Sequence, residues 1–302
     1  MTVLRPFALY RPATVAEASE VLARDGRDTA LYAGGTEILL ILKAGLLRVT
    51  SLVDVKRVPG LDAIRADDGH LVIGATATHR AVERSAIVQA RCPLVAGVAR
   101  HVANIRVRSV GTVGGNLAFA DPHSDLATAF LAFDAVVRLA SSAGARELPL
   151  ADFVLGPYET ARRDDEILTA VRLRPWAAGT AGAYVKFGVH ERPTLGVAVA
   201  LTAEGGAIRG ARVAVGCVGP RPQRIAAAEE RLRGRAPADV ARYADEVGAL
   251  AAGAVEPVSD LHGSAEYKRD MTRVFVRRAL VVAAGRAAGR ESHERHPHTV
   301  IV

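Results

Sequence analysis

The spacing of apolar positions changes several times along this sequence, and each change predicts an element. PATVAEASEVLARDG reads as a helix, with Thr14 as N-cap, Glu17 as capping-box partner and Gly26 as its stop. TALYA is a short apolar strand, while SLVDVKRV and HLVIGATAT alternate like strands. Gly34-Gly35 turns the chain, and Thr36 opens a short helix over EILLILKAGL. Thr78 starts a helix over HRAVERSAIVQA. Pro93 starts another over PLVAGVARHVAN, since proline is well tolerated at the first helical position. In HSDLATAFLAFDA, Leu126, Phe130 and Phe133 fall on one helix face. AVVRLAS and DEILTAVRLRP read as strands.

The pattern shifts after PWAAGTAG, Pro175 to Gly182, which reads as a linker. AYVKFGVHE, LGVAVALTAE and IRGARVAVGCVG follow as three strands, the last two joined at Gly205-Gly206 in a hairpin. Two helices come next, over VARYADEVGALAAG and SAEYKRDMTRVFVRRALVVAAGR. The tail ESHERHPHTVIV has no period and reads as a loose terminus. Its histidines, His293, His296 and His298, suggest a metal less readily than a free tail.

Composition narrows the picture. A chain of 302 residues suggests two domains or two lobes, at roughly 100–200 residues each. Half the residues are hydrophobic and only 5% aromatic, so the core is built of Ala, Val and Leu. The net charge of +7 comes from scattered Arg, with no basic run and no interleaved aromatics, which argues against nucleic acid. Two cysteines, Cys92 and Cys217, exclude a four-cysteine iron–sulfur or zinc site within this chain and fit a reducing compartment. With no leader pattern and no apolar run of about 18 residues, the expectation is a soluble, cytoplasmic protein.

The candidate chemistry lies in two glycine pairs. One is in YAGGTEILL, the other in RVRSVGTVGGNLAFADPHSDL. Glycine lets backbone approach a ligand closely, and successive N–H groups in such a bend form an anion-binding nest. One phosphate needs one nest; two suit a diphosphate, each charge-assisted bond contributing about 1.5–3 kcal/mol. A Gly-Gly pair alone is more often an ordinary turn, and neither pair matches a Walker A loop or GxGxxG. Two loops of matched chemistry put the dinucleotide site level with that plainer reading.

The long stretch AGGTEILLILKAGL…LVDVKRVPGL, IGATATHRAVE and VRSVGTVGGNLAFADPHSDLATAFLAFDA resembles the FAD-binding subunit of the molybdenum hydroxylases. This is the family of carbon monoxide dehydrogenase medium subunits and the xanthine dehydrogenase flavin domain, and the likeness covers nearly the whole chain. It implies an α+β architecture: a PCMH-type FAD-binding fold of two α+β subdomains (residues 1–55 and 56–176), a C-terminal α+β domain (177–290) and a tail (291–302). Ala33, Gly34, Gly35, Thr36 and Glu37 are similar to the first pyrophosphate loop, and Thr112, Gly114, Gly115 and Asn116 to the second. Asp125 matches a cofactor-bonding aspartate; helix N-terminal charge is its simpler role. Leu168 and Lys186 match positions near the isoalloxazine, where a cation stabilises reduced flavin; the plainer reading of Lys186 is a solvated strand residue. The run KFGVHERPTLGVAVA departs from the KVGDYATAAVA-like pattern of relatives, so Thr194 or Leu195 is expected where a tyrosine would face the flavin.

By the same resemblance, the chain holds non-covalent FAD and passes electrons to an outside acceptor. Separate subunits carry two [2Fe–2S] clusters and a molybdenum–pterin centre, in an (αβγ)2 heterohexamer. A stand-alone FAD oxidase of the same superfamily is the alternative, but the C-terminal ~120 residues look small for a substrate cap. Gly114→Val is expected to abolish cofactor retention while sparing the fold.

Overall fold

The structure, a computed structural model, describes residues 5–189, 191–290 and 296–302; His293 of the tail lies outside them. Three main sheets carry these residues. In the first, β1 (Ala8–Tyr10) and β2 (Thr29–Tyr32) flank β3 (Ser51–Asp54), all parallel. Parallel strands need a crossover, which α1 (Val15–Asp25) supplies. Its caps are those the sequence predicts. The Thr14 side chain accepts from the Glu17 N–H, the Glu17 carboxylate accepts from the Ala13 N–H at 2.7 Å, and Gly26 closes the helix at φ +59°. Helix α2 (Ile38–Lys43) follows β2.

The second sheet is antiparallel. Its strands β4 (Ile64–Asp67), β5 (His70–Gly74), β6 (Val136–Ser141) and β7 (Gly144–Pro149) are completed by one placed centrally, after the short hairpin β8 (Val154–Gly156) and β9 (Glu159–Thr160). That central strand, β10 (Ile167–Leu173), pairs with both β5 and β6. Between β5 and β6 run α3 (His79–Arg84), α4 (Ala86–Arg91), α5 (Pro93–Arg100), α6 (Ile105–Val110), α7 (Val113–Phe119) and α8 (Asp125–Leu131). The single helix expected from Thr78 is two, broken at Ser85, whose backbone is extended. Leu71, Ile73, Val137, Leu139 and Val171 bury one sheet face in the same core as Val95, Leu126 and Phe130 of α5 and α8.

The third sheet, again antiparallel, holds β11 (Thr180–Phe187), β12 (Leu195–Glu204), β13 (Ala207–Gly216), β14 (Gln223–Arg224) and β15 (Thr299–Ile301), in the order β14-β13-β12-β11-β15. Gly205 and Gly206 both have positive φ, as the tight hairpin between β12 and β13 requires. A short helix, α9 (Leu150–Phe153), lies back in the second sheet; α10 (Ala226–Leu232), α11 (Val240–Ala254) and α12 (Ala265–Ala287) belong with the third. β12 is buried on both faces. Val197, Val199 and Leu201 join the core with Val247 and Val276 of α11 and α12, while Ala198 faces the core that contains α8. Small residues on the second face let α8 approach: a Cβ on Gly216 would lie 2.0 Å from the Thr128 hydroxyl.

Two expectations need correction. The tail is not loose at its end, because β15 pairs with β11 and Val302 packs into the core beside Gly97. The linker at Pro175 is anchored: Trp176 stacks on Phe133 at 4.5 Å and donates to the Ala132 carbonyl. Among the described residues no helix is long and apolar enough to cross a membrane, and no cluster of side chains could hold a metal ion.

Candidate functional site

The parallel sheet ends at Tyr32, and the next five residues form one wall of a cavity of about 540 Å3. Gly35 sits at φ +74°, where a side chain is strained, and a Cβ there would also strike the Tyr32 ring at 2.6 Å. Gly34 is pressed against the second motif: a Cβ on it would lie 2.3 Å from the Val110 carbonyl oxygen and 2.8 Å from Gly111 Cα. The two glycine segments therefore touch. Helix α2 begins at Ile38 rather than at Thr36, with no side-chain cap. Among the described residues, the N–H groups of Gly34, Gly35, Thr36 and Glu37 have no acceptor.

The second segment is built differently from its sequence reading. Gly114-Gly115 is not a bend but the first turn of α7, and Thr112 is its N-cap, accepting from the Gly115 N–H at 3.1 Å. The Val113 N–H donates to the Ala77 carbonyl at 2.9 Å, and the Gly114 N–H to the Ala75 carbonyl at 2.8 Å. The amides expected to form a second nest are thus already bonded, because the chain leaving β5 runs alongside and takes them. Gly114 is glycine for packing: a Cβ would meet the Ala75 Cβ at 2.5 Å and its carbonyl oxygen at 2.8 Å. Gly114→Val would consequently strike the fold as well as the cavity, contrary to expectation. Asn116 accepts from the Ser124 hydroxyl at 2.7 Å, and the Ser124 oxygen in turn caps α8.

Asp125, the first residue of α8, is buried and lines the cavity. Its two oxygens accept from the Tyr184 hydroxyl at 2.8 Å and the Lys186 ammonium at 2.7 Å. Burial lifts this carboxyl above its ordinary value, against the opposing pull of Lys186 and Tyr184. Lys186 also donates to the His101 and Glu191 carbonyls, each at 3.0 Å, so its three donors meet three acceptors. It is neither a solvated strand residue nor a cation on the cavity wall. Leu168, on β10, is on the wall.

The third sheet contributes Glu191, Arg192 and Pro193 to the lining, in place of Thr194 and Leu195, which are buried outside it. Arg192 reaches Asp121 at 2.8 Å and Glu37 at 3.1 Å, tying the run before β12 to both glycine segments. His123, also lining, places its ring nitrogens 2.7 Å from the Pro193 carbonyl and 3.2 Å from Asp260, which is paired with Lys268. Ala33 and all the other predicted site residues except Lys186 line this one cavity. Thr76, His79, His123 and Arg192 were not foreseen there. Their signal was faint: polar residues inside IGATATHR, ADPHSD and HERPT.

Comparison with known proteins agrees with the geometry. The sequence profile described as "FAD binding domain in molybdopterin dehydrogenase" matches residues 5–176, and "CO dehydrogenase flavoprotein C-terminal domain" matches residues 188–283. The carbon monoxide dehydrogenase medium chain of Hydrogenophaga pseudoflava is 35% identical, over 93% of this chain and 98% of that one. The nicotine 6-hydroxylase medium subunit of Paenarthrobacter nicotinovorans is 32% identical, over 91% and 96%. A solved carbon monoxide dehydrogenase from Hydrogenophaga pseudoflava, lacking the Mo-pyranopterin moiety, superposes with a TM-score of 0.89 at 35% identity, covering 94% of this chain and 99% of that one.

Proposed function

The chain belongs to the FAD-binding medium-subunit family of the molybdopterin dehydrogenases, and from that footing we propose that it is the flavin station of a multi-subunit molybdenum hydroxylase. In this reading a small subunit with two [2Fe–2S] clusters delivers electrons, a large molybdopterin subunit oxidises substrate, and an outside acceptor drains the flavin. The complex is a cytoplasmic (αβγ)2 heterohexamer. The relatives' substrates, carbon monoxide in one case and nicotine in another, differ while their medium chains remain alike, as expected if substrate choice lies on another subunit.

One observation carries the cofactor assignment: four consecutive amides without acceptors among the described residues, in Gly34 to Glu37, which line a cavity of about 540 Å3. That volume lies within the roughly 300–1,000 Å3 of small-molecule sites. Unpaired N–H groups beside a helix start suit an anionic diphosphate, so the residues present fit FAD. Bound FAD supplies the redox chemistry. The protein's part is to hold and shield it. The Gly34–Glu37 amides bind the diphosphate, the Asn116 side-chain amide and the Thr112 region line the facing wall, and Leu168 gives an apolar surface. Asp125 is kept in place by Tyr184 and Lys186. Because Lys186 is neutralised by Asp125, its influence on the bound cofactor is exerted through that carboxylate.

Purified wild-type chain should carry visible flavin absorbance that gel filtration does not remove. Gly34→Ala forces the Val110 carbonyl and Gly111 away and should lose most of the flavin, with a lower melting temperature. Full flavin occupancy in that variant would overturn the loop assignment. Reduction of the isolated chain's flavin by a small alcohol or amine, without partner subunits, would favour the stand-alone oxidase instead.

A further inference from the structure

Two residues that line the cavity each carry a buried polar atom with no hydrogen-bond partner: the Thr76 hydroxyl oxygen and His79 Nδ1. Thr76 is 7% exposed and His79 3%. Both belong to the stretch that leaves β5 and satisfies the amides of α7. Much of its main chain is occupied: the Thr76 N–H donates to the Leu61 carbonyl at 2.8 Å, the His79 N–H to the Gly111 carbonyl at 3.0 Å, and the Ala75 and Ala77 carbonyls accept from Gly114 and Val113. The Thr76 and His79 side chains are left over. Buried polar groups without partners destabilise a fold and are rare enough to need a reason.

Resting on the FAD reading above, we propose that Thr76 and His79 are dinucleotide-binding residues that supply, as side chains, the hydrogen bonds which the closed amides of Val113 and Gly114 cannot. Thr76 donates its hydroxyl proton to an oxygen acceptor of the cofactor, of which the diphosphate has most. The side chain has three staggered positions about Cα–Cβ, and the oxygen reaches the cofactor through a change among them. His79, kept neutral by burial and by nearby Arg108, offers an imidazole nitrogen without bringing in a second charge. The first glycine segment thus binds through backbone and the opposite wall through side chains.

The test uses the full-length chain stripped of flavin, with FAD returned by titration and followed by flavin fluorescence. Thr76→Val, nearly isosteric, should weaken FAD binding roughly tenfold, while the melting temperature of the flavin-free protein holds or rises because an unpaired hydroxyl is gone. Thr76→Ser should bind within about twofold of wild type, and His79→Phe should weaken binding without lowering the flavin-free melting temperature at neutral pH. Unchanged affinity in Thr76→Val and His79→Phe overturns the proposal, as does a fall in flavin-free stability parallel to the loss of affinity. A wild-type chain that takes up no FAD would sink the underlying reading itself, and that outcome is distinct from variants that bind like wild type.

Discussion

Gly34 and Gly114 look alike in sequence, yet different neighbours hold each as glycine. Gly34 admits the Val110 carbonyl, while Gly114 admits Ala75. Only the first leaves its amide free. His79 illustrates a different demand on a single residue. Burial, with Arg108 adding to it, lowers its imidazole from the ordinary 6.5 to about 4. Between those values the unfolded chain binds a proton that the folded chain does not. Its stability is therefore complete above about pH 6.5 and is lost as pH falls toward about 4, by about 3 kcal/mol in all. In flavin-free protein, His79→Phe should flatten the melting-temperature profile over that window. A profile as steep as wild type would mean that other groups govern the acid limb.

At the scale of elements, the decisive piece is α7. Thr112→Ala removes its N-cap and should cost about 1 kcal/mol, seen as a lower melting temperature that Thr112→Ser restores. An unaltered melting temperature would put the cap's contribution at nothing. Elements that carry their own signals were legible in the sequence: α1 through Thr14, Glu17 and Gly26, and the β12–β13 hairpin through Gly205-Gly206. The state of α7 was not, because what closes its amides comes from Ala75 and Ala77, far away in sequence. β15 was hidden for a similar reason. Three residues have no period, and its partner β11 lies more than a hundred residues upstream. Motif resemblance picked out residues that, apart from Lys186, share one cavity lining, whereas the bonding of Lys186 was not legible because its acceptors, Asp125, His101 and Glu191, come from three separate places.

For the whole molecule, the end of the chain closes the structure. Val302 exchanges two main-chain bonds with Tyr184, accepts from Arg286 at 2.8 Å and fills the space over Gly97. Deleting Thr299–Val302 should therefore destabilise the protein by about 2–3 kcal/mol, with earlier loss of structure on heating. Equal melting of full-length and shortened chains would count against that role. Asp125 stands on a helix of the middle sheet, and Tyr184 and Lys186 stand on the last. Anyone grafting the back third of a relative onto this front must transplant the trio as a matched set. A mismatched hybrid would entomb a lone ammonium or carboxylate at the seam, a fault of several kcal/mol that no surface redesign could repair.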